Sequence, residues 1–542
     1  MFRYGHISAI DLPAIDLNAH VHVPFPQRAS IIIDTRPGAV MEQVSSFALT
    51  LVETLAFLFI FIIGLAVIWF VVVYIHDRFQ TESTLRRNYP VIARFRYLFE
   101  HLGEFFRQYF FALDREEMPF NRAERSWVYR AAKNVDQTVA FGSSRDLRPA
   151  GTVYFVNCPF PTLEEDAANP SAITIGPYAR TPYVTDSVFN ISGMSYGAIS
   201  IPAVRALSAG AKKSGIWMNT GEGGLSPYHL EGGADIVFQI GTAKFGVRKP
   251  EGGFDEEKLR AVAAHQQVKM FELKLSQGAK PGKGGILPGA KVTEEIANIR
   301  GINVGEPAIS PNRHEEVDSV DDLLDMINYV RELTGKPVGF KAVIGAYGYF
   351  DEMCKRILDR GIENAPDFVT IDSADGGTGA APMSLIDNMG MPLRESLPRV
   401  VDMLRKYGLK ERMKVCASGK LINPSDVAWA YCAGADFVNS ARGFMFALGC
   451  IQSLQCNKNT CPTGIATHDT KLQYGLDPAS KAVRVAQYAE NMKKEIGIIA
   501  HSCGVQEPRL LKRYHARVVL GDGRSVAMEE LYPEPKTIKA VE

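Results

Sequence analysis

Residues 368–379, FVTIDSADGGTG, contain the pattern that decides the fold: a short apolar run that ends in polar residues and then in glycines. Four other runs repeat this pattern, at residues 188–191, 338–343, 414–417 and 437–439. Amphipathic helix patterns stand between such runs, for example at residues 425–433. Strands that alternate with helices across short turns predict an α/β fold with a parallel sheet.

Polar residues directly follow these apolar runs, at Ser192, Asp372, Ser418 and Ser440. The active site of a (β/α)8 barrel lies at the carboxyl ends of its strands, so this placement predicts a TIM barrel. A doubly wound sheet is the alternative, but no G-x-G-x-x-G motif follows a first strand.

The composition favours a large enzyme over a nucleic-acid-binding protein. The 542 residues exceed what one hydrophobic core usually organises, and 60 basic residues balance 60 acidic ones. We therefore expect no nucleic acid among the partners. The eight cysteines are too sparse for a disulfide scaffold and suit a reducing compartment.

An apolar run without charge covers residues 55–75, LAFLFIFIIGLAVIWFVVVYI. As a helix it is about 31 Å long, enough to cross the hydrocarbon layer. A cleavable signal peptide would be shorter and would start near Met1. The sequence therefore predicts a single-pass protein of the cell membrane.

Arginines near this run set the expected orientation. Only Arg28 and Arg36 precede it closely, whereas five arginines follow it: Arg78, Arg86, Arg87, Arg94 and Arg96. The positive-inside bias therefore places the large C-terminal part in the cytoplasm.

Residues 88–113 are rich in aromatic side chains and arginine. They suit either an interfacial helix on the membrane or an amphipathic helix packed against the catalytic domain, and the sequence leaves both open. The predicted order is thus an extracytoplasmic segment (1–54), a transmembrane helix (55–75), a juxtamembrane linker (76–120) and a catalytic domain (121–542).

Cys450, Cys456 and Cys461 form the sharpest local motif, and Pro462 follows the third of them. Three thiolates this close suit the three irons of a 3Fe-4S cluster, held by a loop at residues 450–461. A zinc site would need a fourth ligand, for which His468 is the candidate, and it lacks the usual paired spacing.

Two late strands end in residues that suit a phosphate group. These are Ser418-Gly419-Lys420 and Ser440-Ala441-Arg442, where backbone N–H groups of a barrel flavoenzyme hold the FMN phosphate. Lys274 and Lys341 are candidates for a cation beside the flavin, where negative charge develops on reduction.

Residues 192–467 resemble the FMN-binding domain of glutamate synthases along nearly their whole length. The matching phrases include ISGMSYGAIS, NTGEGG, ELKLSQGAKPGKGGILPGAKV, AISPNRH, IDSADGGTGAAPMS and GCIQSLQCNKNTCPTGIAT. Together with the apolar run and the phrase MPFNRAERSWVYRAAKN, the chain is similar to the short FMN-binding glutamate synthase family proteins.

This resemblance implies a (β/α)8 barrel that binds FMN, with a 3Fe-4S cluster on Cys450, Cys456 and Cys461. It implies that electrons enter through the cluster and that the flavin passes a hydride to 2-iminoglutarate, formed from 2-oxoglutarate and ammonia. Matching positions implied to contact the flavin are Ser192, Met194, Ser195, Asn219, Lys274, Gln277, Lys341, Asp375, Gly376, Gly377, Ser418, Gly419, Lys420, Ala441 and Arg442.

The resemblance also implies substrate contacts at Glu222, Lys280 and Arg300. A dicarboxylate suits a lysine and an arginine, because arginine binds a carboxylate through two parallel hydrogen bonds. Glu222 is suited to moving protons of the imine.

Two features depart from the family pattern. Ile286 stands where a substrate-binding glutamine is common, and an apolar side chain cannot replace its hydrogen bonds. The chain begins Met1-Phe2 and its first cysteine is Cys158, so we expect no glutaminase activity.

Two functions follow from these features. The first is an oxidoreductase that makes glutamate from 2-oxoglutarate and ammonia, or an N-substituted glutamate from another amine. The second is a membrane-linked electron-transfer flavoprotein that reduces a different acceptor. Because no nicotinamide-binding domain is recognised, electrons are expected from a partner such as ferredoxin or another redox subunit.

Overall fold

The computed structural model describes residues 37–538, which form two compact units divided between Phe111 and Ala112. Most of the predicted extracytoplasmic segment, including Arg28 and Arg36, lies outside the described residues. The four segments drawn from the sequence, with their three boundaries, stay predictions.

Eight parallel strands close into a barrel in the second unit and follow one another around it in chain order. They are β1 (Phe189–Ile191), β2 (Met218–Asn219), β3 (Ile236–Ile240), β4 (Val268–Lys274), β5 (Val338–Val343), β6 (Phe368–Asp372), β7 (Lys414–Ser418) and β8 (Phe437–Ser440). This topology confirms the predicted eight-stranded TIM-type barrel.

The strands are almost entirely buried, because helices cover the outside of the barrel and side chains fill its interior. Their register aligns the polar strand ends. Asp372 of β6 lies between Val343 of β5 and Ser418 of β7, and Ser418 in turn pairs with Asn439 of β8. The carboxyl ends of the strands therefore bring the polar residues to one mouth of the barrel.

A main helix follows each strand. These helices are α1 (Ile201–Ser214), α2 (Pro227–Glu231), α3 (Glu256–Ala264), α4 (Val320–Thr334), α5 (Gly348–Arg360), α6 (Leu393–Lys406), α7 (Pro424–Ala433) and α8 (Pro478–Ser502). Side-chain caps fix several helix starts, such as Ser200 on the amide of Ala203 and Ser319 on that of Asp322.

Shorter elements decorate the barrel. The strands are Val153–Phe155, Ile173–Ile175, Tyr183–Thr185, Ile286–Leu287, Ala308–Ile309, Ala516–Val519 and Ser525–Ala527. The α-helices are Arg122–Ala132, Glu294–Arg300, Met383–Ile386, Arg442–Leu448, Thr470–Gln473 and Met528–Leu531. Five 3-10 turns are Glu164–Asp166, Gly289–Lys291, Ile362–Asn364, Pro508–Leu510 and Arg513–His515.

The first unit is built on the helix Pro37–Phe79, which contains the predicted run 55–75. Its part Ser45–Phe79 is long and apolar enough to cross a membrane, by length and composition alone. Three further segments follow it, at Thr84–Asn88, Ile92–Phe106 and, as a π-helical turn, Arg107–Phe111.

Candidate active site

The mouth of the barrel contains a cavity lined by loops that follow five of the eight strands. Its walls are Ser192, Gly193, Lys341, Asp372, Gly377, Ser418, Gly419, Lys420, Ile422, Ser440, Ala441 and Arg442. Eight of the residues assigned to flavin from the sequence are therefore brought together here: Ser192, Lys341, Gly377, Ser418, Gly419, Lys420, Ala441 and Arg442.

Lys341 and Asp372 form a buried ion pair in this cavity, with 3.0 Å between Nζ and Oδ2. The carboxylate of Asp372 is fully engaged, because Oδ2 also accepts from the amide of Gly278 and Oδ1 accepts from the hydroxyl of Ser418. Burial opposes ionisation of both groups, but their mutual attraction outweighs it. The pKa of Lys341 is therefore raised and that of Asp372 lowered.

Backbone rather than side chains forms the wall after β7. Gly419 has φ +110°, and a Cβ placed there would lie 2.5 Å from the Cβ of Ser373. Lys420 also has a positive φ of 55°, which a non-glycine residue adopts at some cost. This tight turn leaves main-chain groups beside the cavity, as a phosphate site requires.

The helix Arg442–Leu448 starts at the same wall, with Ala441 as its N-cap. Alanine has no side-chain oxygen with which to cap the helix, so the first amides are available to an anion. A Cβ on Gly377 would lie 2.8 Å from Nε of Arg442, so only glycine allows this close approach. Burial lowers the pKa of Arg442 to about 10, which leaves it charged at neutral pH.

Asp375 ties the two phosphate-type loops to each other. Its carboxylate pairs with Lys420 at 3.0 Å, and its backbone carbonyl accepts from Arg442 at 3.2 Å. A Cβ on Gly376 would lie 2.7 Å from the carbonyl oxygen of Ser373, so these two residues are in close contact. These contacts connect the loops after β6, β7 and β8.

The opposite wall rests on Asn219, at the end of β2. A Cβ on Gly193 would lie 2.8 Å from Oδ1 of Asn219, so the two residues are in close contact. Met194 and Ser195 follow, and the backbone of both packs against Gly221. The side chain of Asn219 is held by Glu272, to which its Nδ2 donates at 2.8 Å.

A second buried ion pair lies between Lys274 and Glu222, with 2.7 Å between Nζ and Oε1. Lys274 also contacts Oε1 of Gln277, whose Nε2 donates to Thr378 at 2.9 Å. Within residues 37–538, Lys274 is the one hydrogen-bond partner of the Glu222 carboxylate. The carboxylate packs instead against two glycines, and a Cβ on Gly285 would lie 2.2 Å from Oε1.

Lys280 and Arg300 are close enough to Glu222 to influence its ionisation. Burial acts to raise the pKa of Glu222, but the charges of Lys274, then Lys280 and Arg300, hold it below its usual value. Burial and the charge of Lys274 lower the pKa of Lys280 to about 8. The structure therefore brings together all three residues that the sequence assigned to the substrate.

Arg300 is buried and only partly satisfied. Its Nη2 donates to the carbonyl of Tyr196 at 2.9 Å, and its guanidinium lies 5.1 Å from the ring centre of Phe245. Its Nε has no hydrogen-bond partner among the described residues, and burial lowers its pKa to about 10. A buried arginine with an unused donor suits a site that awaits an anion.

Ile286 belongs to a short hairpin beside this pocket, in which it pairs with Ile309. Its neighbour Gly285 packs against Glu222, and the carbonyl of Gly285 accepts from the amide of Ser310. The position at which the sequence departs from the family pattern is therefore next to the carboxylate of the pocket.

The three cysteines of the loop lie close enough to influence one another's ionisation. Burial raises the pKa of Cys450 to about 12 and also raises that of Cys456. Burial would do the same to Cys461, but hydrogen bonds from Thr463 and from the amides of residues 463, 465 and 466 lower its pKa. Hydrogen bonds to sulfur are typical of iron–sulfur ligands, so this donor set fits a cluster.

The zinc alternative finds no such support in residues 37–538. They contain no group of three or more His, Cys, Asp and Glu side chains placed to hold a metal ion, and this applies to the three cysteines as well, so the cluster stays a prediction. His468, the candidate fourth ligand, instead places Nε2 2.8 Å from the carbonyl of Gly197.

Several residues that the sequence analysis did not single out hold the residues of this site in place without lining it. Glu272 accepts from three side chains inside the barrel: Asn219, Gln239 and Thr370. Gln452 is buried and bonds to Glu117 and Phe120, and the hydroxyl of Tyr129 donates to the carbonyl of Cys450 at 2.6 Å. The one sequence signal for Glu272 is its place between the apolar residues Phe271 and Leu273 of β4.

A family model described as a conserved region in glutamate synthase matches residues 161–506. The chain therefore belongs to the glutamate synthase family, which places it among oxidoreductases. The glutamate synthase large subunit-like protein YerD of Bacillus subtilis is 39% identical over 521 residues, which cover 89% of this chain and 98% of YerD.

The archaeal-type glutamate synthase (NADPH) of Dehalococcoides mccartyi is 34% identical over 354 residues, or 65% of this chain and 66% of that protein. A glutamate synthase large subunit-like protein of Rhizobium meliloti is 31% identical over 345 residues, or 60% of this chain and 74% of that protein. This chain thus spans nearly all of YerD but just under two thirds of the Dehalococcoides protein.

The similarity to solved structures is weaker. Flavocytochrome b2 with benzoylformate has a TM-score of 0.43 at 14% identity, over 77% of this chain and 86% of that chain. Mandelate oxidase with (S)-2-phenylpropionate has a TM-score of 0.42 at 15% identity, over 73% and 98% of the two chains.

Proposed function

We propose that this protein is a membrane-anchored oxidoreductase that uses FMN and a 3Fe-4S cluster to form glutamate from 2-oxoglutarate and ammonia. The observation that carries the proposal is the convergence of Lys274, Lys280 and Arg300 on Glu222 at the barrel mouth. Three cations around one carboxylate leave an excess of positive charge, which suits a substrate with two carboxylates.

The charged residues of the pocket would have two roles, substrate binding and proton transfer. Lys280 and Arg300 would each take a carboxylate of the substrate, and the unused Nε of Arg300 is available for this bond. Glu222 stays ionised because its pKa is lowered, so it can accept a proton from the nitrogen of the substrate and return it.

The cavity beside this pocket suits FMN. The turn at Gly419 and the uncapped start of the helix Arg442–Leu448 would hold its phosphate, and Lys341 and Lys274 would stand near the flavin ring. When bound, FMN would supply the hydride for reduction of the imine. Asp372 raises the pKa of Lys341, so the positive charge of this lysine is in place before the flavin is reduced.

Cys450, Cys456 and Cys461 would hold the cluster, which would supply electrons from a partner such as ferredoxin or another redox subunit. Lys291 lies beside this loop, where its Nζ donates to the carbonyls of Cys456 and Ala198 at 3.0 and 2.9 Å. A buried ammonium here would offset the negative charge of a thiolate-bound cluster.

The segment Ser45–Phe79 would anchor the protein by a single pass, with the barrel in the cytoplasm because the arginines follow the span. The anchor would keep the barrel close to a membrane-bound source of electrons.

Ile286 supports a second candidate, an electron-transfer flavoprotein that reduces a different acceptor or forms an N-substituted glutamate. The side chain lies next to Gly285, which packs on Glu222, and it offers no hydrogen bond to a polar substrate. The pocket would then keep its cations but accept a more apolar substrate.

The test is product formation by purified full-length protein in detergent. The protein is reduced by dithionite through methyl viologen and supplied with 2-oxoglutarate and 15N-ammonium. The proposal expects 15N-glutamate, detected by mass spectrometry. Formation of glutamate without a labelled nitrogen would contradict ammonia as the nitrogen source.

Two controls separate the parts of the proposal. Glutamine in place of ammonium should give no product, because we propose no glutaminase activity for this protein. The variant Cys456→Ala should lose the electron paramagnetic resonance signal of the cluster but keep its FMN, since the proposed phosphate contacts lie elsewhere. A cluster signal that persists in this variant would contradict the assignment of the cysteines.

A further inference from the structure

The first unit contains a polar contact at the end of its apolar helix. The carboxylate of Asp77 accepts from Nε and Nη2 of Arg94, at 2.8 and 2.7 Å, and from the amide of Val91 at 3.1 Å. Asp77 is completely buried by these partners. An arginine bound through two hydrogen bonds fixes direction as well as distance.

This contact fixes a sharp bend. Val91 has φ +65°, a conformation that a β-branched residue adopts only when its surroundings hold it there. Among the side chains described in the first unit, only Val73, Asp77, Val91 and Ala93 are buried, and all four belong to this bend. Among the described side chains of this unit, the bend is therefore the one packed part, and it sets where the helix Ile92–Phe106 starts relative to the end of the helix Pro37–Phe79.

The helix Ile92–Phe106 carries an apolar stripe made of Ile92, Phe95, Phe99, Leu102 and Phe106. The spacing of three and four residues places all five on one face. Ile92 is 71% exposed, Phe95 55%, Phe99 66% and Phe106 46%. Aromatic side chains this exposed along a whole helix face need a covering surface in the working protein.

Outside the stripe the helix carries the charged residues Arg94, Arg96 and Glu100 beside Tyr97 and Leu98, and its surroundings are basic. Arg96 and Glu100 form an exposed ion pair on a different face, at 3.5 Å. Arg78, Arg86 and Arg87 precede the helix near the bend, and Arg107 follows it. A helix with an apolar stripe and basic flanks is typical of segments that lie in the interface of a membrane with anionic lipids.

From the bend, the stripe and the basic flanks we propose that the helix Ile92–Phe106 lies in the headgroup region of the membrane with its apolar stripe toward the lipid. Lipid is the covering surface that lies nearest, since the bend ties this helix to the end of the apolar segment Ser45–Phe79. The inference rests on the proposed membrane anchor. It adds a binding surface for anionic lipid and a function for Asp77, which fixes the angle between span and surface helix.

Tryptophan fluorescence in vesicles tests this inference on full-length protein. Phe99→Trp places a reporter on the stripe, and Tyr97→Trp places a matched aromatic reporter on the opposite face of the same helix. Both variants are reconstituted into vesicles that contain anionic lipid, with or without bromine near the headgroup end of the acyl chains. The unmodified protein, with its four tryptophans, supplies the baseline.

We expect brominated lipid to quench roughly half of the emission that Phe99→Trp adds, because an interfacial helix buries its apolar face ~5–10 Å into the boundary. The emission that Tyr97→Trp adds should change little. Adding Asp77→Asn to Phe99→Trp should reduce the quenching, since the neutral amide cannot pair with Arg94.

Equal quenching of the two reporters would overturn the inference. If a second copy of the chain or a partner protein covered the stripe, both reporters would be quenched equally weakly. Failure of the proposed anchor is distinguishable, because Trp69 would then escape quenching in the unmodified protein and the protein would not float with the vesicles. The flavin spectrum of each variant reports separately on the proposed cofactor.

Discussion

Two lysine–carboxylate pairs lie at the barrel mouth, and they differ in how far their carboxylates are satisfied. Asp372 binds Lys341, the amide of Gly278 and the hydroxyl of Ser418, so both of its oxygens are engaged. Glu222 binds Lys274 alone among the described residues and packs against glycines. The comparison indicates that the Asp372 pair organises the cofactor wall, whereas the Glu222 pair keeps capacity for substrate.

Replacing Glu222 tests the reactive side of this comparison and should have the largest effect. Glu222→Gln keeps the shape but removes the group that moves the substrate proton, so glutamate formation should fall by about 10²–10⁴-fold. The FMN content should stay near that of the unmodified protein, whereas the melting temperature should fall, because Lys274 loses its buried ion-pair partner. Glu231→Gln, in an exposed pair with Arg205, is the control. A loss of FMN in Glu222→Gln would place this residue in the cofactor wall instead.

Replacing Asp372 tests whether the pair of Asp372 and Lys341 organises the cofactor wall. Asp372→Asn leaves Lys341 as a buried charge without its partner, which should cost about 3–5 kcal/mol of unfolding free energy. Chemical denaturation measures this cost, and flavin release should accompany it. Asp318→Asn removes an exposed pair with Arg313 and should cost at most about 1 kcal/mol. If both variants were equally stable, Asp372 would not organise the wall.

The barrel and its mouth could be predicted from the sequence because apolar runs and the polar residues after them are local patterns. Strand β5 was predicted with its full bounds, and β6 and β7 extend one residue further, to Asp372 and Ser418. Their side chains bond to each other across the mouth, and this pairing extends the ladder.

Contacts between distant parts of the chain could not be predicted. Gly278 and Asp372 are 94 residues apart, and Gln452 and Glu117 are 335 apart, so no local pattern connects them. The helix Pro37–Phe79 also extends well before residue 55, because hydropathy marks an apolar core but not the polar turns that continue a helix. The roles of the site residues stay predictions until the variants are measured.

Substrate binding beside the Glu222 pair should depend on pH, because Lys280 lies near this pair and loses its charge in an accessible pH range. Burial and Lys274 lower the pKa of Lys280 to about 8, so its charge is present below that pH and lost above it. Glu222 stays ionised throughout, since its pKa is lowered. The Kd for 2-oxoglutarate should therefore rise between pH 7 and pH 9 by up to about tenfold.

Calorimetric titration at several pH values measures this change, and the variant Lys280→Met is the reference. It should bind more weakly at pH 7 and show a flatter pH profile. A profile as steep as that of the unmodified protein would assign the titration to another group.

The smallest predicted effect concerns Ile286, beside the less satisfied carboxylate. Ile286→Gln restores a hydrogen-bonding side chain, which should strengthen 2-oxoglutarate binding by about 0.5–1.5 kcal/mol. Ile309→Gln, at the cross-strand partner, is the matched control and should change little. Weaker binding in Ile286→Gln would favour the second candidate, with a substrate that needs an apolar wall.

Titration of 2-oxoglutarate into the purified protein tests the central claim most directly. The flavin absorbance spectrum and the melting temperature are followed together, with Arg300→Gln as a comparison. We predict a saturable change in the spectrum and a rise in melting temperature that Arg300→Gln lacks. A spectrum and a melting temperature that are both unchanged by 2-oxoglutarate would contradict the proposal that this pocket binds a dicarboxylate beside FMN.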